Sequence, residues 1–581
     1  MTSNYLRLFL WAALGVALFV NYQAWVADYG SAPQSAPTAE SAKGPGHAAG
    51  EGTGLGETVP HASSTPASAA GQPVSGETAP PATPAATPPS TAATAAAPTI
   101  RVQTDVLDMK LSLDGGTIVY AALPKYHEAK GQPEPVVLEN QASPQSLYLL
   151  HTGLSGPAGA DAARPTHLAR FASAQSEYRL APDADELRVP LTWADGQGVT
   201  VTKTFVFRRG QYEFGVEQRV ENRSGKPWQA AAYAQLRRYE TPSKGGSMFT
   251  YNANSRSFHG PAIYSPTTKY RTLNIGKDED QHLSLDVADG WMAAPQHDFV
   301  SAVVPPAGVP FQYTLGVQGN EFQLGTLGPM QTVEPGGTKN FDFKLFVGPK
   351  LQAQLSATAP ELGRVNDYGR LYLLAQPLFW LLAKFYAMFG NWGVSIIIVT
   401  FLLKLLFYPL SEASYRSMAR MKALAPRIKS LQETFKDDKE KAGRAVMELY
   451  KREKVNPVAG CLPMIIQIPV FLAFYYVLIE SVEMRQAPFF GWINDLSSRD
   501  PWFILPAIMA GAMFVQYKLN PPPPDPTQAK VMMFMPLAMS AMFAFFPSGL
   551  VLYWVTNTIL SIAQQWNINR RIEASAKRVK A

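Results

Sequence analysis

Cysteine is all but missing. Cys461 is the only one in 581 residues, which excludes an intrachain disulfide, a cysteine-cluster metal site and an acylated lipoprotein front end. Zinc-ligand, P-loop and dinucleotide-binding spacings are missing as well, so neither a bound nucleotide nor a cofactor is expected. The net charge of +6 is modest and does not by itself point to nucleic acid. One whole region, residues 30–98, has almost no large apolar residues and few charges, and consists mainly of Ala, Pro, Ser, Thr and Gly. Such a stretch cannot bury a core and reads as a disordered tether, with a mucin-like stalk as the alternative. The mean hydropathy of −0.07 averages a polar front half with a hydrophobic back half, and the two are read separately.

At the front, a mostly apolar run over residues 5–20 carries Arg7 near its start and is followed by Asn21, Tyr22 and Trp25, which suit a headgroup interface. Signal-peptide cleavage wants small residues at the last and third-last positions. Ending at Ala27 puts Trp25 in the third-last place, and ending at Ala24 puts Tyr22 there. The expectation is an uncleaved signal-anchor span over 1–29.

Residues 99–355 change texture to short alternating runs parted by turn residues. ELRVPLTW, ADGQG, VTVTKTFVF, RRGQ and YEFGVEQRVEN follow one another as strands and polar turns. A domain of this kind is a large all-β sandwich of antiparallel sheets. Its loops hold His259, His282, His297, Asp278, Glu279 and Asp280, but no pair has a spacing that demands catalysis. Trp193, Trp228 and Trp291 are either a carbohydrate groove or core, and core is the commoner fate.

The back half is organised around NWGVSIIIVTFLLKLLFYPLSEASYRSMARMK, residues 391–422. Residues 394–410 are apolar enough for a bilayer, and the helical pattern runs without a breaker into a basic segment. Lys404 lies inside the apolar part. A Lys at the centre of a spanning helix costs roughly 2.5–3.5 kcal/mol on insertion scales, so it faces a wet cavity or snorkels to an interface. On this stretch alone both readings stand.

Further apolar runs cover 461–479, 503–519, 531–546 and 550–566, the last two joined by PSG at 547–549. The intervening segment 412–456 is rich in Lys and Arg, including Arg416, Arg420, Lys422, Arg427 and Lys429, and belongs in the cytoplasm by the positive-inside rule. If residues 362–389 also crossed, that segment would fall on the side of the β domain. They are therefore expected to lie as an amphipathic helix along the outer interface, with Pro377 bending it. The resulting topology has six crossings, both termini in the cytoplasm and a basic tail at 571–581. Within 412–456, Met418, Met421, Leu424, Ile428 and Leu431 recur at helical spacing, and Val446, Leu449 and Tyr450 continue beyond a polar KDDK turn. This predicts a cytoplasmic helical hairpin, whose basic faces suit anionic lipid, a ribosome or a targeting factor.

KVNPVAGCLPMIIQIPVFLAFYYVL at 454–478 and FPSGLVLYWVTN at 546–557, with NWG at 391–393 and YPL at 408–410, resemble the YidC family of membrane protein insertases, in the Gram-negative form with a large periplasmic domain. The front half fits that organisation, and the β domain resembles a mutarotase-like supersandwich. The resemblance implies a five-helix insertase core over 390–570, enclosing a hydrophilic groove open to cytoplasm and lipid and closed towards the periplasm. The family's groove cation, usually Arg, has Lys404 in its place, which keeps the charge and loses the guanidinium fork. Thr400 and Trp554 match other groove positions, Trp554 standing where Tyr is more usual. Gln467, Ser395 and Asn557 are candidates for keeping the groove wet, and Met464, Phe471, Met532 and Phe534 for guiding a substrate into lipid. The implied function is insertion and chaperoning of nascent inner-membrane proteins, alone or with the Sec translocon, by a monomer in the bacterial inner membrane. A small-solute transporter is the competing class. It would show internal repeats and broken helices at midplane, and no repeat is visible in this chain.

Overall fold

The computed structural model describes residues 55, 58–61, 98–157, 163–240, 257–435, 438–453, 455, 462–520 and 526–580. The expected anchor at 1–29, most of the tether at 30–98, and Cys461 lie outside them. The chain divides into two compact units, residues 48–242 with 258–366, and residues 367–581 with 1–47 and 243–257.

The first unit is a β-sandwich of an 11-stranded and an 8-stranded sheet. Its meander shows how alternation builds the core. In strand Glu186–Ala194, Val189, Leu191 and Trp193 face inward, and in strand Val199–Arg208 so do Val199, Val201, Phe205 and Phe207. The register pairs Val189 with Phe205 and Trp193 with Val201, so the apolar faces of both strands coincide. Lys203 occupies an inward place in the same alternation. Its Nζ donates to the carbonyl oxygens of Gly115 at 2.7 Å and Thr152 at 2.8 Å, and Thr152 lies on strand Tyr148–Ser155 of the other sheet. The lysine thus ties the two layers together, its charge held by two carbonyl dipoles. Gly115 and Gly116 turn the chain at φ +69° and +62°, where a β-carbon is disfavoured. Trp193, Trp228 and Trp291 are all buried in the sandwich core, which settles them as packing residues. Within the expected tether, Leu55, Thr58 and Val59 rest against this domain.

The second unit is helical: α1 Tyr372–Phe389, α2 Trp392–Leu406, α3 Tyr408–Thr434, α4 Lys439–Arg452, α5 Leu462–Glu480, α6 Ile504–Leu519, α7 Pro526–Phe543 and α8 Ser548–Lys580. Among the described residues α1 alone is long and apolar enough to cross a membrane as one straight helix, and α2 with the start of α3 passes as a bent pair. The uninterrupted helix expected over 391–422 is instead broken at Phe407, with a bend of 66°. Pro409 is the cause: it lacks an amide proton for the turn before it, disfavours helical backbone at Tyr408, and suits the first turn of a new helix. The basic tail continues α8 rather than leaving it. α3 and α4 pack as a hairpin through Leu424 and Ile428 against Val446, Leu449 and Tyr450, with Arg427 bridging to Glu453 at 2.8 Å.

Candidate functional site

Asn391 starts α2 by accepting the Val394 amide on its side chain, a cap worth about 1 kcal/mol. From there the helix carries Ser395, Thr400 and Lys404 in turn. Ser395 and Thr400 are buried, and each hydroxyl donates to its own helix four residues back, to Asn391 O at 3.0 Å and Ile396 O at 2.6 Å. Such back-bonding satisfies a polar side chain in apolar surroundings without a cavity.

Lys404, one turn further, leaves its own helix. Its Nζ donates to Ser561 Oγ on α8 at 2.8 Å, and Ser561 in turn donates to the carbonyl of Asn557 at 2.7 Å. The Tyr415 hydroxyl on α3 also bonds Ser561. Asn557, Ser561, Gln564 and Gln565 recur at spacings of four, three and one on α8, the positions of one helix face. Gln565 Nε2 donates to Asn520 Oδ1 at 3.0 Å, and both polar ends of Gln564 and the Asn557 Oδ1 are buried with no protein partner among the described residues. Buried Ser411 and Ser414 come from α3. Among the described residues no carboxylate pairs with Lys404; the neighbouring Glu412 is taken by Arg416 at 2.5 Å. The result is a polar cluster on α2, α3 and α8 around one uncompensated cation. Buried amides without partners are costly in hydrocarbon.

The opposite end of α2 is sealed by the segment between α5 and α6. Asp500, 1% exposed, accepts from Trp492 Nε1 at 3.1 Å, the Trp502 amide at 3.1 Å and the Leu505 amide at 2.7 Å. Asp495 gathers the Gln486 amide and the Ser497 and Ser498 hydroxyls. Ser548, at the start of α8, donates to the carbonyls of Asp495 and Ser498. Phe489 lies so close over Gly393 that a β-carbon there would be 2.1 Å from its ring.

The sequence-designated residues therefore divide. Lys404 and Asn557 join one cluster. Gln467 donates to Tyr553 Oη at 2.9 Å, a separate contact. Trp554 packs against Phe471 at 4.6 Å and Phe543 at 4.9 Å between ring centroids. Phe534 is 61% exposed and Met532 half-buried; the Met464 side chain lies outside the described residues. On the hairpin Arg416, Arg420, Arg427 and Lys429 are exposed, and the side chain of Lys422 is not described. Sequence reading missed Ser561, Gln564 and Gln565, although their polar spacing inside an otherwise apolar stretch was the available signal.

Comparisons with known proteins cover the whole chain. The family described as "60Kd inner membrane protein" matches residues 384–576, and "YidC periplasmic domain" matches residues 99–381. The "Membrane protein insertase YidC" of Nitrosococcus oceani is 42% identical over 574 residues, 98% of this chain and 99% of the relative. That of Thioalkalivibrio sulfidiphilus is 43% identical over 587 residues, 99% of each chain. Among solved structures, "Active YidC insertase crystal structure with the first transmembrane domain resolved" covers 81% of this chain and 94% of its own, with 18% identity and a TM-score of 0.36.

Proposed function

Because the chain belongs to the YidC family of membrane protein insertases, inner-membrane proteins with a periplasmic domain, we propose that it inserts its substrates through a half-depth polar groove in which Lys404 is the working cation. The observation that carries this is the Lys404 amine, hydrogen-bonded to Ser561 yet without a carboxylate partner among the described residues. A substrate's polar tail meets a wet cluster instead of hydrocarbon, which shortens its path across the bilayer. An acidic group about 4 Å from the amine gains roughly 4 kcal/mol at an effective dielectric near 20, before desolvation. The membrane potential adds about 2.3 kcal/mol per charge per 100 mV. Asn557 and Gln467 keep the path hydrated, Ser395 and Thr400 line it through their own backbone bonds, and the apolar faces with Phe471, Trp554, Met532, Phe534 and Met464 release the substrate into lipid.

In this reading α1 lies along the outer interface, although by length and hydropathy it is able to cross. The basic charge of the α3–α4 hairpin argues for the interfacial placement, because a crossing would put that hairpin outside. Both termini and the hairpin are then cytoplasmic. The hairpin meets anionic lipid, ribosomes or targeting factors, and the protein acts as a monomer, alone or beside the Sec translocon. The test is insertion of a short, acidic-tailed single-span protein into vesicles carrying the native chain, Lys404→Arg or Lys404→Ala, at equal protein levels. Retention by Arg and loss by Ala supports the groove cation; insertion by Ala at the native rate removes it.

A further inference from the structure

The tether does not pass the β domain without contact. Leu55 sits over Gly316, where an added β-carbon would come within 3.3 Å of its Cδ2. The Thr58 carbonyl accepts from Gln235 Nε2 at 3.2 Å, and its hydroxyl accepts from Gln323 Nε2 at 3.1 Å while donating to Leu55 O at 2.7 Å. Val59, like Met330, packs against the cluster of Ala231, Tyr233 and Leu327.

These partners belong to one surface. The register sets Tyr233 opposite Leu327, Gln235 opposite Gly325, and Gln323 opposite Gly316. The alternate residues Ala230, Ala232, Ala234 and Leu236 lie in the core between the sheets, so the partners occupy the outer face of the 11-stranded sheet. The face continues beyond the tether. His151, directly opposite Gln235 on the next strand, is 6% exposed and hydrogen-bonds Thr117 through Nδ1, while its Nε2 has no partner among the described residues. Arg237 and Glu321 on the same face pair with each other. A floor of glycines and two amides able to donate or accept make a surface suited to a main chain with small side chains, with His151 buried beside it.

We propose that this face is a peptide-binding site, that Leu55, Thr58 and Val59 are its resident occupants, and that it takes in their place an extended segment of another polypeptide with a hydroxyl residue between aliphatic ones. Two neutral hydrogen bonds from side-chain amides and two small apolar seats, for Leu55 and Val59, hold the occupant, and covalent attachment strengthens them by raising the effective concentration. A free peptide at low concentration does not displace it. A polypeptide held on the same protein competes on equal terms. The inference is independent of the Lys404 groove, and its test reads binding alone.

The full-length chain in detergent micelles is titrated against a fluorescein-labelled peptide of the sequence GLGETVPHASS, residues 54–64, with a scrambled peptide as control. Thr58→Gly with Val59→Asp vacates the face from the tether side, outside the sandwich core. This variant is expected to bind the probe at least ten-fold more tightly than the native chain. Adding Gln323→Leu, or separately Gly316→Val to fill the Leu55 seat, is expected to reduce that binding at least five-fold, with hydrogen-exchange protection of strands Trp228–Tyr239 and Glu321–Leu327 unchanged. The proposal is overturned if the vacated chain binds no better than the native one, if the scrambled peptide binds equally, or if neither further substitution lowers binding. Displacement of the probe by a free hexose overturns it too, by assigning the face to a sugar.

Discussion

The amine of Lys404 donates to the hydroxyl of Ser561 at 2.8 Å, across 157 residues of sequence. The contact holds the cation in place without neutralising it, because the Ser561 hydroxyl is uncharged: it accepts from Lys404 and donates its own hydrogen bond to the Asn557 carbonyl. A held but unneutralised charge is what an electrostatic groove requires.

Replacing Ser561 therefore separates positioning from charge. Ser561→Ala is expected to leave insertion of an acidic-tailed substrate within about two-fold of native. Ser561→Asp puts a carboxylate within reach of Lys404, and an ion pair there competes for roughly the same 4 kcal/mol offered to the substrate. Insertion in reconstituted vesicles should fall at least ten-fold for acidic tails and much less for neutral ones.

Asp500 closes the segment between α5 and α6. Asp500→Ala leaves three donors without their acceptor, each costing about 1–3 kcal/mol where it stays buried. Amide exchange over residues 485–505 should accelerate by an order of magnitude or more, while α3 and α4 keep their native rates.

Gly393 sets a smaller contest. Alanine is the better helix former by about 1 kcal/mol, but its β-carbon would sit 2.1 Å from the Phe489 ring, and overpacking costs about 1–3 kcal/mol. The clash should win. Gly393→Ala is expected to lower the thermal midpoint of the detergent-solubilised chain by a few degrees; a rise would show that Phe489 moves aside freely.

Glu139 gives the β domain a pH dependence. It is fully buried, with one oxygen accepting from Ser301 and the other without a partner among the described residues, and burial pushes its carboxyl up to about 8. The folded state thus holds a proton that the unfolded chain loses near pH 4.5. Stability falls as pH rises between those values and levels off above them, by a few kcal/mol in all. Glu139→Gln should flatten that slope, read as pH-independent protection of strands Pro135–Glu139 and Phe299–Val304 after correction for intrinsic exchange.

The β-sandwich was legible because alternation is local: ELRVPLTW and VTVTKTFVF display their buried faces residue by residue, and the register merely brings those faces into line. Even Lys203 sits where the pattern puts an inward residue, although nothing nearby in sequence announces the carbonyls of Gly115 and Thr152 that hold it. The docking of Leu55 and Thr58 was hidden, since a segment that buries little of its own shows no periodicity. The bend at Phe407 was written in Pro409, but helical patterns on both sides, apolar before it and basic after it, masked it.

By itself the sequence determined that a single cation would lie in an apolar helix, and which family the chain resembles. Those properties follow from residue type and local order. Only the tertiary structure decided where each polar group sends its hydrogen bond. Ser395, Thr400 and Ser561 all donate to their own backbone four residues back, and of the three it is Ser561 whose oxygen also accepts from another helix, from the Lys404 amine. A hydroxyl that has donated its hydrogen to its own helix keeps lone pairs free, and whether they are used depends on which neighbouring helix brings a donor that its own turn cannot satisfy.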